Sequence, residues 1–229
     1  MKYISIDIET TGLDRDLCQV LSIGAVIEDT NDIKPLEELP TFHAVIKRES
    51  VYGSIFALDL NRDLIQAMKN YDSAKNEEAR KKVEEDFGAK FYYEDEVVEA
   101  LYQFCYRNGL VESNDKLDVN KHVKLVDGIM YPVLTGKMDK VHFTAAGKNF
   151  ASFDQQFLIK LPRWKQVFAI RSRVLDPGIL FIDWQNDESV PSLDVCKQRA
   201  GIDGAVTHNA VEDAIDVVKL LRKQYQIWD

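Results

Sequence analysis

Asp7 and Glu9 stand two residues apart in a segment where Ile4, Ile6 and Ile8 alternate with Ser5, Asp7 and Glu9. Alternation with period two is the pattern of a strand, and a strand sends residues i and i+2 out of the same face. The two carboxylates would therefore lie side by side, whereas on a helix they would diverge by about 200°. Neighbouring carboxylates repel one another, and a hard divalent cation that prefers oxygen ligands relieves the repulsion. The same dipeptide pattern also fits an ordinary strand with acidic residues on its wet side, so the pair alone leaves both readings open.

The elements that must position this pair follow from the rest of the chain. Residues 2–9, 19–28 and 41–47 read as three strands, and Asp29-Thr30-Asn31-Asp32 supplies turn chemistry between the second and the third. Consecutive antiparallel strands are expected, with no helix between them. From Asn61 to Asp86 the chain is polar and charge-laced, and 76–86 reads as a solvated helix. Residues 94–108 carry Val97, Val98, Leu101, Phe104 and Cys105 as one core-facing helical stripe. Residues 109–140 lack a period and contain Gly109, Gly128, Pro132 and Gly136, which suits an irregular insertion. A strand at 141–146, a helix at 150–160, a strand at 167–175 and helices at 192–200 and 209–225 complete the order. The last helix has Val211, Ala214, Ile215, Val218 and Leu221 on one side, and Asn209 with Glu212 is spaced for a capping box. Antiparallel strands first, then alternating helix and strand, indicate an α/β fold: a mixed sheet flanked by helices.

Two later segments add chemistry in a fixed order. Gly147-Lys148-Asn149-Phe150-Ala151-Ser152-Phe153-Asp154 places an Asp in the helix that follows a strand. Thr207-His208-Asn209-Ala210-Val211-Glu212-Asp213 places a His just before the last helix and an Asp in its first turn. With Asp7-Ile8-Glu9-Thr10-Thr11-Gly12-Leu13, these segments resemble the three motifs of the DEDDh, or DnaQ-like, family of 3′→5′ exonucleases, which share the ribonuclease-H-like fold. The match requires Asp7, Glu9, Asp154, His208 and Asp213 in that order and reaches across nearly the whole chain. The resemblance implies one exonuclease domain over 1–229, with the excess length as a helical or irregular insertion within 49–140.

What the resemblance implies chemically is a metal-dependent phosphodiester hydrolase. Asp7, Glu9, Asp154 and Asp213 would hold two divalent cations, Mg²⁺ or Mn²⁺, about 3.5–4 Å apart beside the 3′ end. His208 would act as general base, since a histidine side chain changes charge near neutral pH. Thr10, Thr11, Gly12 and Leu13 would meet the terminal nucleotide, with Leu13 wedged against a base and Glu9 near the 3′ hydroxyl. Asn149 and Phe150 are added as substrate contacts, and Phe153 is expected in the core. Lys160, Arg163, Lys165, Arg171 and Arg173 form the most basic stretch, suited either to a strand backbone or to solvent; Lys121, His122, Lys124, Lys137 and Lys140 form a second.

Composition sets the outer bounds. The 229 residues are 45% hydrophobic and 29% charged, which is a globular composition. Apolar runs such as 167–170 are too short for a membrane helix, and Asp7 and Glu9 interrupt a signal-peptide pattern, so a cytoplasmic protein with no membrane partner is expected. Cys18, Cys105 and Cys196 are scattered without a CxxC pair, which argues against disulfides and zinc. Twenty-nine basic against 38 acidic residues give a net charge of −9. That balance disfavours broad adsorption to nucleic acid, although bound cations reverse the field locally.

The expected partner is the 3′ end of single-stranded nucleic acid or frayed duplex, DNA ahead of RNA, with nucleoside monophosphates released. The insertion offers a surface for a polymerase or for self-association. An exoribonuclease or oligoribonuclease, and a catalytically silent ribonuclease-H-like binding module, remain the alternatives.

Overall fold

Strand β1 (Lys2–Thr10) is covered on both faces, and this sets the plan of the molecule. A computed structural model of the chain describes residues 1–110, 123–126, 129–132 and 140–225. β1 pairs antiparallel with β2 (Val20–Asp29), which pairs antiparallel with β3 (Thr41–Ile46). Helices α1 (Ile55–Leu60), α2 (Arg62–Asp72) and α3 (Glu77–Phe87) then lead to β4 (Lys90–Tyr92), which adds to β3 in parallel. After α4 (Glu94–Arg107), β5 (Val123–Val126) and β6 (Ile129–Pro132) form an antiparallel pair.

The remaining elements are β7 (Val141–Phe143), β8 (Ala145–Ala146), α5 (Asp154–Leu158), α6 (Trp164–Val167), β9 (Phe168–Ile170), α7 (Leu193–Ala200) and α8 (Ala210–Tyr225). The central sheet has the order β4-β3-β2-β1-β8, and β7 pairs in parallel with β9. This is a mixed sheet flanked by helices, antiparallel first and parallel later, as the sequence order requires.

Ile4, Ile6 and Ile8 enter the main core with Val97, Val98, Leu101 and Cys105 of α4 and Phe157 and Leu158 of α5. Tyr3 leaves the opposite face and packs with Ala214, Val217, Val218 and Leu221 of α8. The alternation in β1 suggests a half-wet strand, yet Ser5 is fully buried and its hydroxyl donates to the Ala214 carbonyl at 2.8 Å. Satisfying that polar group is what allows α8 to cover the face that ends in Asp7 and Glu9.

Several boundaries differ from the periodicity. The strand expected over 141–146 breaks at Thr144 because β7 and β8 serve different partners, β9 and β1. The helix expected over 150–160 shortens to Asp154–Leu158, since Asn149 takes a left-handed backbone (φ 57°) and 149–153 form turns. The strand expected over 167–175 is three residues long, with Leu175 bridging Ala146 further on. α3 is solvated as expected, capped by the Asn76 side chain and ended by Gly88 at φ 73°. The three-residue β4 is too short for a periodic signal.

Candidate active site

The C-terminal half of β1 and the first turns of α5 and α8 meet at one place. Asp154 is the first residue of α5, and its Oδ1 accepts the Ile8 backbone N–H at 3.1 Å, which ties the helix to β1 between Asp7 and Glu9. Asp213 sits in the first turn of α8. Gly24 lies opposite Asp7 in the β1–β2 register, and a Cβ there would stand 2.1 Å from the Ala210 carbonyl carbon. The absence of a side chain at Gly24 is therefore what lets the start of α8 descend onto the sheet.

His208 precedes α8 with a left-handed backbone (φ 53°), a conformation in which histidine is enriched but uncommon. One ring nitrogen of His208 and one carboxylate oxygen from each of Glu9 and Asp213 all lie within 4.8 Å of one another. The ring is exposed while both carboxylates are buried, so it stands at the mouth of the acidic cluster. Asn209 holds the turn into α8, its Oδ1 accepting from Val211 N–H at 3.1 Å and Glu212 N–H at 3.4 Å.

Burial and mutual repulsion dominate the electrostatics. Burial pushes Glu9 up to about 8, with the Asp213 charge adding to it and a hydrogen bond from Asn61 opposing. Burial likewise raises Asp154 to about 7, against hydrogen bonds from backbone N–H groups, and Asp213 to about 6, with Asp216 adding to it. Asp7, which keeps partial solvent contact, is raised well above the ordinary carboxylate range by desolvation and by the charges of Asp154, Asp213 and Glu9. Asp213 Oδ1 is buried with no hydrogen-bond partner among the described residues. An orphaned carboxylate oxygen among mutually repelling carboxylates fits the coordination needs of a hard divalent cation, with His208 as an adjoining nitrogen donor or base.

The surrounding residues fall into two groups. Thr10 and Thr11 are buried, with Thr10 Oγ1 donating to the Gly12 carbonyl at 2.8 Å and Thr11 Oγ1 accepting from Gln19 N–H at 2.8 Å. Gly12 is buried beside Cys18. Leu13 is 86% exposed, and Ile55 and Phe56 at the start of α1 are also exposed. Ser54, which caps α1, donates its backbone N–H to the Thr11 carbonyl at 2.9 Å, so α1 begins beside the loop that carries Leu13. Asn149 is exposed, its N–H donating to Asp176 at 3.0 Å and its side chain accepting from Lys148 at 2.8 Å. Phe150, expected at the substrate surface, is instead a core ring with no exposed area, pressed against Gly147. Phe153 is partly buried against Phe157.

The basic stretch divides as well. Lys160 pairs with Asp16 and donates to the Arg15 carbonyl at 2.7 Å, bolting the 14–17 loop to the end of α5. Arg163 donates to Gln166 at 3.1 Å, while Lys165, Arg171 and Arg173 are exposed. Lys140 is exposed; the side chains of Lys121, His122, Lys124 and Lys137 lie outside the described residues. His43 is held by the Gly88 carbonyl at 3.1 Å, and His142 is exposed. All three cysteines are free thiols, Cys105 and Cys196 buried. Among the described residues no helix is long and apolar enough to cross a membrane.

Sequence reasoning misses Asn61, whose Nδ2 donates to the Thr10 and Ala57 carbonyls at 3.3 and 3.0 Å beside Glu9. It also misses Gly24, since a lone glycine in a strand signals a close approach without naming the partner.

No protein-family model matches the chain, and no curated protein matches it. Solved structures do. E. coli exonuclease I in a structure bearing on processivity superposes with a TM-score of 0.52 at 13% identity, covering 100% of this chain and 42% of that one. E. coli exonuclease I in complex with a dT13 oligonucleotide gives 0.51 at 15% identity, covering 99% and 42%, and its complex with a 5cy-dT13 oligonucleotide gives 0.51 at 12%, covering 97% and 41%. The chain thus spans about two fifths of the length of these structures. At such identities the likeness is one of fold, and the chain has the ribonuclease-H-like α/β fold that it shares with exonuclease I.

Proposed function

We propose that the protein is a metal-dependent 3′→5′ exonuclease acting on single-stranded DNA. The observation that carries this reading is the convergence of Asp7, Glu9, Asp154 and Asp213 with His208 at their mouth. The neighbours in fold that hold oligothymidylate add support for DNA as the polymer.

In this reading the four carboxylates hold divalent cations, Mg²⁺ or Mn²⁺, which supply charge neutralisation of the phosphodiester and activation of water when bound. His208 takes the proton of the attacking water. The water oxygen forms a bond to phosphorus, the bond to the penultimate O3′ breaks, and that oxygen takes a proton from solvent to become the new 3′ hydroxyl. The product is a nucleoside 5′-monophosphate. Leu13, with the exposed Ile55 and Phe56 next to its loop, offers apolar surface to the terminal bases, where stacking is worth about 1–3 kcal/mol per base. The backbone of Thr10 to Gly12 and Asn149 complete the substrate side, while Phe150 supports it from the core.

The test uses matched single-stranded DNA and RNA oligonucleotides labelled at the 5′ end, with Mg²⁺, Mn²⁺ or EDTA and with Asp7→Ala as control. A metal-dependent ladder shortening from the 3′ end, faster on DNA and absent in the variant, is expected. A faster RNA ladder would move the assignment to an exoribonuclease. No cleavage of either polymer by folded protein would overturn the nuclease reading in favour of a silent binding module.

A further inference from the structure

Lys197 of α7 is 3% exposed, a rare state for a lysine. Its ammonium pairs with the buried carboxylate of Asp216 and donates to the Ala205 carbonyl at 3.2 Å. Asp216 lies on α8 three residues beyond Asp213, and its other oxygen accepts from Lys219 at 2.6 Å. Taking such a pair out of water is costly, and an apolar pair of similar volume often fastens two helices at least as well. Joining α7 to α8 therefore does not account for the lysine. Only a buried donor can also hold a backbone carbonyl, and Ala205 lies in the loop 201–209 that delivers His208.

That loop has no regular structure, and Gly204 within it adopts φ 91°. Among the described residues its middle is held by Lys197 on the Ala205 carbonyl, and the Thr207 backbone lies beside the Asp213 carboxylate, whose charge it favours. The second contact is made by a residue of the acidic cluster itself, which leaves Lys197 as the anchor from outside the cluster. We propose that Lys197, clamped by Asp216, is a positioning residue for His208: it fixes the loop so that the ring faces Glu9 and Asp213. The inference rests on the nuclease reading for its catalytic consequence, though the fixing of the loop does not.

The test compares Lys197→Met, the paired Lys197→Met/Asp216→Leu, and each of these in a His208→Ala background. Lys197→Met is expected to lower kcat at least about tenfold with KM for a single-stranded oligonucleotide changed less than about threefold. With His208 removed, the same substitution is expected to lower the residual kcat less than about twofold, because the group through which it acts is gone. The paired apolar variant is expected to regain the melting temperature of the parent but not its kcat. Should Lys197→Met fail to fold, the paired variant carries the whole comparison. Recovery of full kcat in the paired variant, or an equal loss with and without His208, would reduce the lysine to a structural role and overturn the proposal. Amide exchange over 203–209 reads the loop independently: it is expected to quicken in both variants even if the parent cleaves no polymer, and unchanged exchange overturns the positioning role.

Discussion

Glu9, Asp154 and Asp213 hold their protons above the ordinary carboxylate range of about 4, and the stability of the metal-free fold must follow pH accordingly. In the unfolded chain these groups ionise near pH 4; in the folded chain they ionise at about 8, 7 and 6. Between those values the native state binds more protons than the unfolded state, so stability is full at low pH and is lost as pH rises through the folded values. Melting temperature in EDTA is therefore expected to fall between about pH 4 and about pH 8, and the fall is expected to shrink when Mg²⁺ or Mn²⁺ compensates the charges. A melting temperature in EDTA that is flat over this window would contradict the burial of these carboxylates. For His208 the expectation concerns rate: His208→Ala should lower kcat by about 10²–10⁴ while Mn²⁺ binding persists on the four carboxylates. Turnover close to that of the parent would remove the base from the mechanism.

At the scale of elements, the site depends on how closely the start of α8 lies on the sheet. A Cβ at Gly24 would stand 2.2 Å from the Val211 nitrogen and 2.3 Å from the Ala210 carbonyl oxygen, so Gly24→Ala must lift the helix that bears Asp213. The expected cost is about 1–3 kcal/mol of stability from overpacking, with a loss of turnover beyond what the melting temperature explains. Gly88→Ala is the contrasting change: its φ of 73° makes a side chain strained, yet none of the described residues lies within 4 Å, so about 1 kcal/mol is lost and turnover stays. Thermal melts with oligonucleotide turnover separate the two cases, and equal turnover in both variants would mean that the α8 approach is irrelevant to the site. The same elements show what the sequence makes legible. Asp7, Glu9, Asp154, His208 and Asp213, which the structure brings together, are legible as a group because each requires one side-chain type in one order, and long periodic elements such as α4 and α8 declare themselves by their apolar stripes. Lys197 cannot be found, because in Leu193–Ala200 it reads as one more solvated helix residue until α8 closes over it. Phe150 misleads for the converse reason: its place beside Asp154 suggests substrate, but Gly147 opens a slot that draws the ring into the core.

The whole molecule carries a net charge of −9, and its proposed substrate is a polyanion. Without cations the acidic cluster would repel the very phosphates that it must receive, and the exposed Lys165, Arg171 and Arg173 offset only part of that charge. Binding and metal loading should therefore be one event. Fluorescence anisotropy of a labelled single-stranded DNA oligonucleotide with the slow His208→Ala variant is expected to show affinity at least about tenfold weaker in EDTA than in Mg²⁺. The salt dependence should separate the remaining contributors, since each phosphate neutralised by a side chain of the protein on a single strand adds about −0.7 to the slope of log K against log salt. Lys165→Ala is expected to make that slope shallower by about this amount if the strand passes the end of α6, and to leave it unchanged if the lysine faces only solvent. Equal affinity in EDTA and Mg²⁺ would place the phosphates away from the carboxylates and would separate nucleic-acid binding from the cluster altogether.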